Sequence, residues 1–491
     1  MADEAIEQAD TGEQGRLELE ELARYATAPV DAVLAGPETA IWAAARLLDG
    51  LGNIAHGFDA RISKLVREAA PRQQGAAVAA WPDAEPGYRE DDAAFLLGVY
   101  AFSENYCDTG LASVAHLGSI VVPSVLLAAQ HRELGGREVL AAITVGYNVM
   151  EYFGATLNGG SPRMAHQLRG FRPTASAGPL AAVAVLARLS GASAEECCQA
   201  MALACSQGGG LRRSPQSAVG AIRIQSGEAL RRAVQTLWLA KAGVASDTRV
   251  LRLPGGFFPA YAGGKLLDVA VPKAGADRDF LATASMKLDC TPHTLVTLLD
   301  ATRDLGARHR GRIGDWIDDI ASVVVSVPAQ HNVISGGGKP LPDTFAEAAG
   351  HVPFCVALAL VSGSHLYPAV LEAGITDEVV RALAERVTLV VDDELTTIFD
   401  SDATSWPARV EIEFGSRGRD TAELRAPETS DWTAEHALST AAEKVTAIMG
   451  ERAGTADELA AYFAGAARWP DAWAAIVGSP LTRPAAVRGA R

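Results

Sequence analysis

The sequence predicts a mainly α-helical protein with an α+β insert, an all-helical body plus a smaller α+β lid domain. Three observations carry this. From Leu17 to about Gly275, apolar residues recur at helical spacing, and glycine pairs such as Gly135-Gly136 and Gly159-Gly160 mark the breaks. After Gly275 the character changes: 322–328 (SVVVSVP), 386–392 (RVTLVVD) and 408–414 (ARVEIEF) alternate or run β-branched, as strands do. From Thr433 the helical period returns.

In chain order, residues 1–16 are polar and acidic without apolar period, and read as a disordered tail. Residues 17–275 form the first part of the helical domain, 276–425 the α+β lid, and 426–491 C-terminal helices returning to the body. Within the body, a helix from Ser119 to Glu133 opens on a serine able to cap it. Ser193-Ala-Glu-Glu196 fits a capping box, and Ser226 to Ala242 reads as an amphipathic helix stopped by Gly243. Many body helices are alanine-rich and apolar on several sides, which suits a central position or burial against a second subunit. In the lid, helices are expected at Thr294–Leu305 and Thr376–Glu385, and Arg417-Gly-Arg turns strand 408–414 into a partner strand over 421–425.

Composition excludes several classes. A net charge of −16 over 491 residues argues against a nucleic-acid partner. No apolar run is long enough to span a bilayer and no leader-like start is visible, so a cytoplasmic protein is expected. The six cysteines lack CxxC spacing and read as small core residues. No HExxH, Walker A, GxSxG or dinucleotide fingerprint is present, and no histidine–carboxylate cluster has metal spacing. Neither metal nor organic cofactor is expected. The glycine-rich 335–339 (SGGGK) reads as a lid loop, and His309 and His331 as surface residues.

The chemistry concentrates in 105–123 (NYCDTGLASVAHLGSIVVP), where Asp108, Thr109 and His116 share a polar loop ahead of the Ser119 helix. An imidazole, a carboxylate to orient it and the donors of a helix N-terminus suit proton transfer beside a carboxylate. The same residues also read as a loop whose polar groups merely satisfy one another.

This stretch resembles the Asp-Phe-Asp-Asp-Thr…His-Pro-Gly segment of the MmgE/PrpD family. Further similarities follow in collinear order: 47–52 (LLDGLG), 169–178 (RGFRPTASAG), 205–211 (CSQGGGL) and 287–293 (KLDCTPH). The resemblance implies a helical body with an α+β lid, a site between them, a homodimer and cofactor-independent chemistry. It makes His116 the principal acid/base, oriented by Asp108 and Thr109, and His293 a second proton carrier from the lid. On the residues alone, His293 reads equally as a cap or a satisfied interface histidine.

Departures from the family pattern are as informative. Asn105 and Cys107 stand where the family carries carboxylates, Ile222 where it carries Lys, Arg172 where it carries His, and Phe354 where it carries Tyr. Arginines have appeared at Arg172, Arg212, Arg213 and Arg223. A guanidinium is a permanent cation suited to carboxylate and a poor base; each of these also reads as a structural ion-pair partner. The expectation is a lyase, a dehydratase or decarboxylase, acting on a small polycarboxylate through an enolate α to a carboxylate. Asn105, Arg172, Arg212, Arg223, Lys287 and Ser119 are the expected substrate-binding residues. An isomerase using the same intermediate, or a catalytically silent binding protein, would share these features.

Overall fold

The computed structural model describes residues 2–73, 78, 80, 87–132, 134–212, 220–275, 280–310, 316–331 and 340–449. A large helical core is built around Gly136–Asn158 and Pro173–Leu189, buried over nearly their whole lengths. Their alanine-rich, many-sided apolar character is thus accounted for within one chain. Pro173 sits in the first turn of its helix, where an absent N–H loses no hydrogen bond. The Ser193–Glu196 capping box forms as expected, at the head of Ala194–Cys205. Helices Glu90–Phe102 and Gln225–Lys241 approach backbone to backbone: a Cβ on Gly98 would lie 2.7 Å from Gly227 Cα. Nearby, Arg223 donates to the Phe102 carbonyl at 3.1 Å.

The helix Ala434–Met449 returns to the body, burying Ala434, Ala437, Ala441 and Val445 in the first core. Its Lys444 forms a buried ion pair with Asp49 of the Thr39–Gly57 helix (2.5 Å) and donates to the Tyr106 carbonyl (2.8 Å).

The second core belongs to the α+β unit. Its four-stranded sheet runs β4-β3-β5-β6: β3 (Ile320–Val327), β4 (Val387–Val391), β5 (Ala408–Phe414) and β6 (Gly418–Leu424). β3 pairs parallel with β4 and antiparallel with β5, and β5 with β6 forms a hairpin. Along β5, buried and half-buried residues alternate, as a sheet with one covered face requires. The helices Val296–His309 and Val352–Ser362 supply that cover.

Four expectations are corrected. The expected tail is helical from Ala2, within Ala2–Ala26, where Glu18 binds Arg252 at 2.8 Å. The α+β unit starts later than residue 276. Leu281, Ala284 and Met286 still pack in the helical core, and beyond residue 276 Cys290 is the first buried residue of the second one, which Tyr106 of the body also joins. The helix expected from Ser119 begins at Gly118 and ends at Ala128, so Ser119 lies inside it. His309 and His331 are buried, at 5% and 3% exposure; His309 binds Asp420 (2.9 Å). The 335–339 loop, Arg213 and residues beyond 449 lie outside the described residues.

Candidate active site

A two-stranded ribbon within the body braces the loop of interest, at the point where the chain leaves for the lid. β1 (Thr109–Gly110) pairs antiparallel with β2 (Ala284–Ser285), just before the chain enters the lid. Gly110 is obligatory there, since a Cβ would lie 1.9 Å from a Glu151 carboxylate oxygen. Glu151 accepts the Ser113 N–H (3.2 Å) and hydroxyl. Val114 is held at φ 57°, an outlier for a β-branched residue that persists only where the surroundings impose it.

His116 emerges from this loop half-buried. Its Nδ1 lies 3.1 Å from the Thr109 hydroxyl and 3.4 Å from the Asp108 carbonyl oxygen. A carbonyl only accepts, so these neighbours favour the proton on Nδ1 and leave the lone pair on Nε2. Burial, then the Lys287 and Arg172 cations, holds the imidazole well below its usual range. At neutral pH it is an uncharged base.

Asp108 does not orient this ring with its carboxylate, contrary to expectation. Oδ1 accepts the Gly118 N–H (2.8 Å) and Oδ2 the Tyr147 hydroxyl (2.6 Å), with Arg46 4.0 Å away. It therefore caps the Gly118–Ala128 helix and occupies a donor that was expected to bind substrate. Ser119 is likewise engaged, donating to the His116 carbonyl (2.8 Å) and touching the Ser226 hydroxyl (3.1 Å).

The cations divide into two kinds. Lys287 is buried, with Nζ bound by the Asn105 carbonyl, the Asn105 side-chain oxygen (3.1 Å) and the Thr291 carbonyl (3.2 Å). Three acceptors satisfy its three donors, so Lys287 and Asn105 build the loop and act on a ligand through charge. Burial lowers the Lys287 amine to about 8. Arg172 and Arg223 differ. Each gives one hydrogen bond to a backbone carbonyl, Ile222 at 2.8 Å and Phe102 at 3.1 Å. Among the described residues, neither forms an ion pair with a carboxylate within 4 Å. Both guanidiniums lie against one Phe102 ring, at 4.1 and 5.5 Å, and the His116 ring meets the same phenyl at 4.7 Å. Burial lowers Arg172 to about 9. Arg212 is half-buried one residue beyond the Phe171–Leu211 bridge, its backbone N–H donating to the Gly170 carbonyl (2.8 Å).

His293 closes the site from the lid, opening the 3-10 turn His293–Leu295. It is 5% exposed and packs edge-on against Trp406 at 4.4 Å. Among the described residues, neither ring nitrogen has a hydrogen-bond partner. Trp406 donates its indole N–H to the Leu111 carbonyl (3.0 Å), and Arg163 donates to Leu111 (2.9 Å), Phe399 (3.1 Å) and Asp402 (3.0 Å) carbonyls. The lid is thus latched onto the loop that carries His116.

Phe354 is not in the site: it is fully buried in the lid core, beside Gly374. Sequence reasoning also missed Phe102, Tyr147, Arg46, Arg163 and Trp406. Of these only Trp406, an aromatic before a proline in a polar loop, offered any local signal.

A helical body is thus latched to an α+β lid, with an imidazole from each at the seam. The MmgE/PrpD N-terminal domain matches residues 20–270 and the MmgE/PrpD C-terminal domain residues 292–463, so the chain belongs to the MmgE/PrpD family. It is 24% identical over 306 residues to human cis-aconitate decarboxylase. That match covers 60% of this chain and 60% of the human protein.

Proposed function

We propose that this chain is a lyase that needs no cofactor and acts on a small polycarboxylate. In dehydration, His116 Nε2 removes the proton from the carbon α to a carboxylate, giving an enolate that expels the β-hydroxyl as water with a proton delivered from the His293 side. In decarboxylation no proton is removed first: the bond to CO₂ leaves its electron pair as the enolate, and a proton is returned to that carbon by the paired histidines. Arg172 and Arg223 hold substrate carboxylates, and Lys287 adds positive field from behind. Membership of the MmgE/PrpD family and the likeness to a decarboxylase support a lyase-type role.

One observation carries the reading above all. A neutral base and two buried guanidiniums, neither in an ion pair within 4 Å among the described residues, share the Phe102 ring. Arg223 feels the Glu104 carboxylate at longer range, but a buried cation without a contacting carboxylate is costly, and a bound carboxylate relieves that cost at the place where an enolate must be stabilised. The test is exchange of carbon-bound hydrogen from deuterated water into an acid bound by the purified protein. Incorporation lost in His116→Ala supports the reading; binding without any incorporation identifies a silent binding protein.

The assembly we propose is a homodimer with neither nucleic acid nor membrane as partner, a reading that the net charge of −16 supports for nucleic acid; no helix among the described residues is long and apolar enough to cross a membrane. Trp238 and Leu211, 69% and 67% exposed, are large apolar side chains suited to an interface. Sedimentation equilibrium at micromolar concentration decides it.

A further inference from the structure

Lys444 is a buried cation that the proposed chemistry leaves unused. It lies on the helix Ala434–Met449 and is 1% exposed. That helix packs closely on Thr39–Gly57: a Cβ on Gly52 would lie 2.6 Å from Val445 Cγ2. Lys444 thereby reaches Tyr106, 338 residues before it in the chain, and donates to its carbonyl at 2.8 Å. The same ammonium pairs with Asp49, whose other oxygen accepts the Asn53 amide at 3.1 Å. It also lies 4.0 Å from the centre of the Tyr106 ring.

The turn that Lys444 grips leads directly to the base. Asn105 has a φ of 54°, in the left-handed region that residues other than glycine seldom adopt. Such a conformation persists where its surroundings over-determine it. Two ammoniums do so here: Lys287 binds the Asn105 carbonyl and Lys444 binds the next one, that of Tyr106. The Tyr106 hydroxyl donates to the Leu288 carbonyl (2.9 Å), so this residue is held at both ends. Just beyond it, the Asp108 carbonyl and the Thr109 hydroxyl meet His116 Nδ1 at 3.4 and 3.1 Å. These two oxygens favour the tautomer that leaves a lone pair on Nε2. A misplacement of about 1 Å at a reacting group costs about a hundredfold in rate.

We propose that Lys444 is a positioning residue for the His116 base. Through the Tyr106 carbonyl it holds the turn 105–109, and with it the two oxygens that orient the imidazole. The proposal rests on the reading of His116 as the base. It makes the proton-transfer site dependent on the C-terminal helix, whose residues need not touch the substrate. Arg172 and Arg223 donate to the Ile222 and Phe102 carbonyls, outside the turn, so carboxylate binding should be spared.

Deuterium uptake from deuterated water into tricarballylate, with affinity measured by calorimetry, tests this on the full chain. Lys444→Met alone leaves Asp49 buried and unpaired, and should lose both stability and exchange. Asp49→Asn combined with Lys444→Met removes both charges and should regain most of the stability. Exchange in the double variant should stay about a hundredfold below that of the unaltered protein, with affinity changed less than about twofold. Exchange that recovers together with stability would make Lys444 a strut for helix docking and overturn the proposal. So would a parallel loss of affinity, or a double variant that does not fold. The ring ¹⁵N resonances of His116, recorded without ligand, give a readout independent of turnover. They should report a protonated Nδ1 in the unaltered protein and a mixture of tautomers in the double variant; identical resonances would overturn the positioning role. A mixture of tautomers in the double variant, with no exchange in the unaltered protein, would leave that role standing and refute the reading of His116 as the base.

Discussion

The Asp108 carboxylate accepts the Gly118 N–H at 2.8 Å, ten residues along the chain, and so pins both ends of the loop that holds His116. With Tyr147 on its other oxygen and Arg46 4.0 Å away, this fully buried carboxylate is a structural clasp. Removing one member of a buried polar set leaves the others unpaired. Asp108→Ala should destabilise the protein by about 3 kcal/mol or more, and Asp108→Asn, which keeps an acceptor for Gly118, by about 1 kcal/mol. Denaturant unfolding measures both. Equal, negligible losses would show that the clasp does not hold the loop.

His166 and His331 are buried neutral, their imidazoles lowered by burial to about 4 and about 3. Because the folded values lie below the unfolded one, the unfolded chain binds more protons as pH falls below about 6.5. Stability is therefore complete above that pH and declines on acidification, by about 2 kcal/mol for each of the two rings between pH 6.5 and pH 5. Thermal unfolding across this window should show a steep fall, reduced in His331→Phe. A flat profile would mean that these rings are not buried in solution.

Arg172 and Arg223 are expected to bind the substrate's charge. Arg172→Met and Arg223→Met should each raise KM about tenfold to a hundredfold, the loss of a hydrogen bond to a charged group, while unfolding stability changes little or improves. Destabilisation with unchanged KM would make them structural cations instead.

Turnover of cis-aconitate or 2-methylcitrate should be slight, because Asn105 and Ile222 replace a carboxylate and an ammonium of the family pattern. Phe354 contributes nothing to this difference, being sealed in the lid core. Phe354→Tyr should not restore activity, and should cost about 1–3 kcal/mol by burying a hydroxyl with no partner. Efficient turnover of either acid by the unaltered protein, or its recovery in Phe354→Tyr, would refute this account.

Periodicity alone determined the alternation of helical body, α+β lid and returning helix, because buried faces impose a 3.6-residue or a two-residue repeat whatever the neighbours are. β5 falls at 408–414 and the Ser193 capping box forms, since both depend on residues adjacent in the chain. Motif order likewise pointed to His116 and His293. What each polar group binds was decided by tertiary structure, because partners distant in sequence compete for it. Asp108 goes to Gly118 and Tyr147 instead of to the imidazole, Lys287 to Asn105 and Thr291 instead of directly to a substrate, and Phe354 to the lid core. His331 looked like a surface residue because a histidine in a polar stretch carries no sign of the indole that covers it. Only the folding of 399–406 against residue 331 brings Trp406 over that ring.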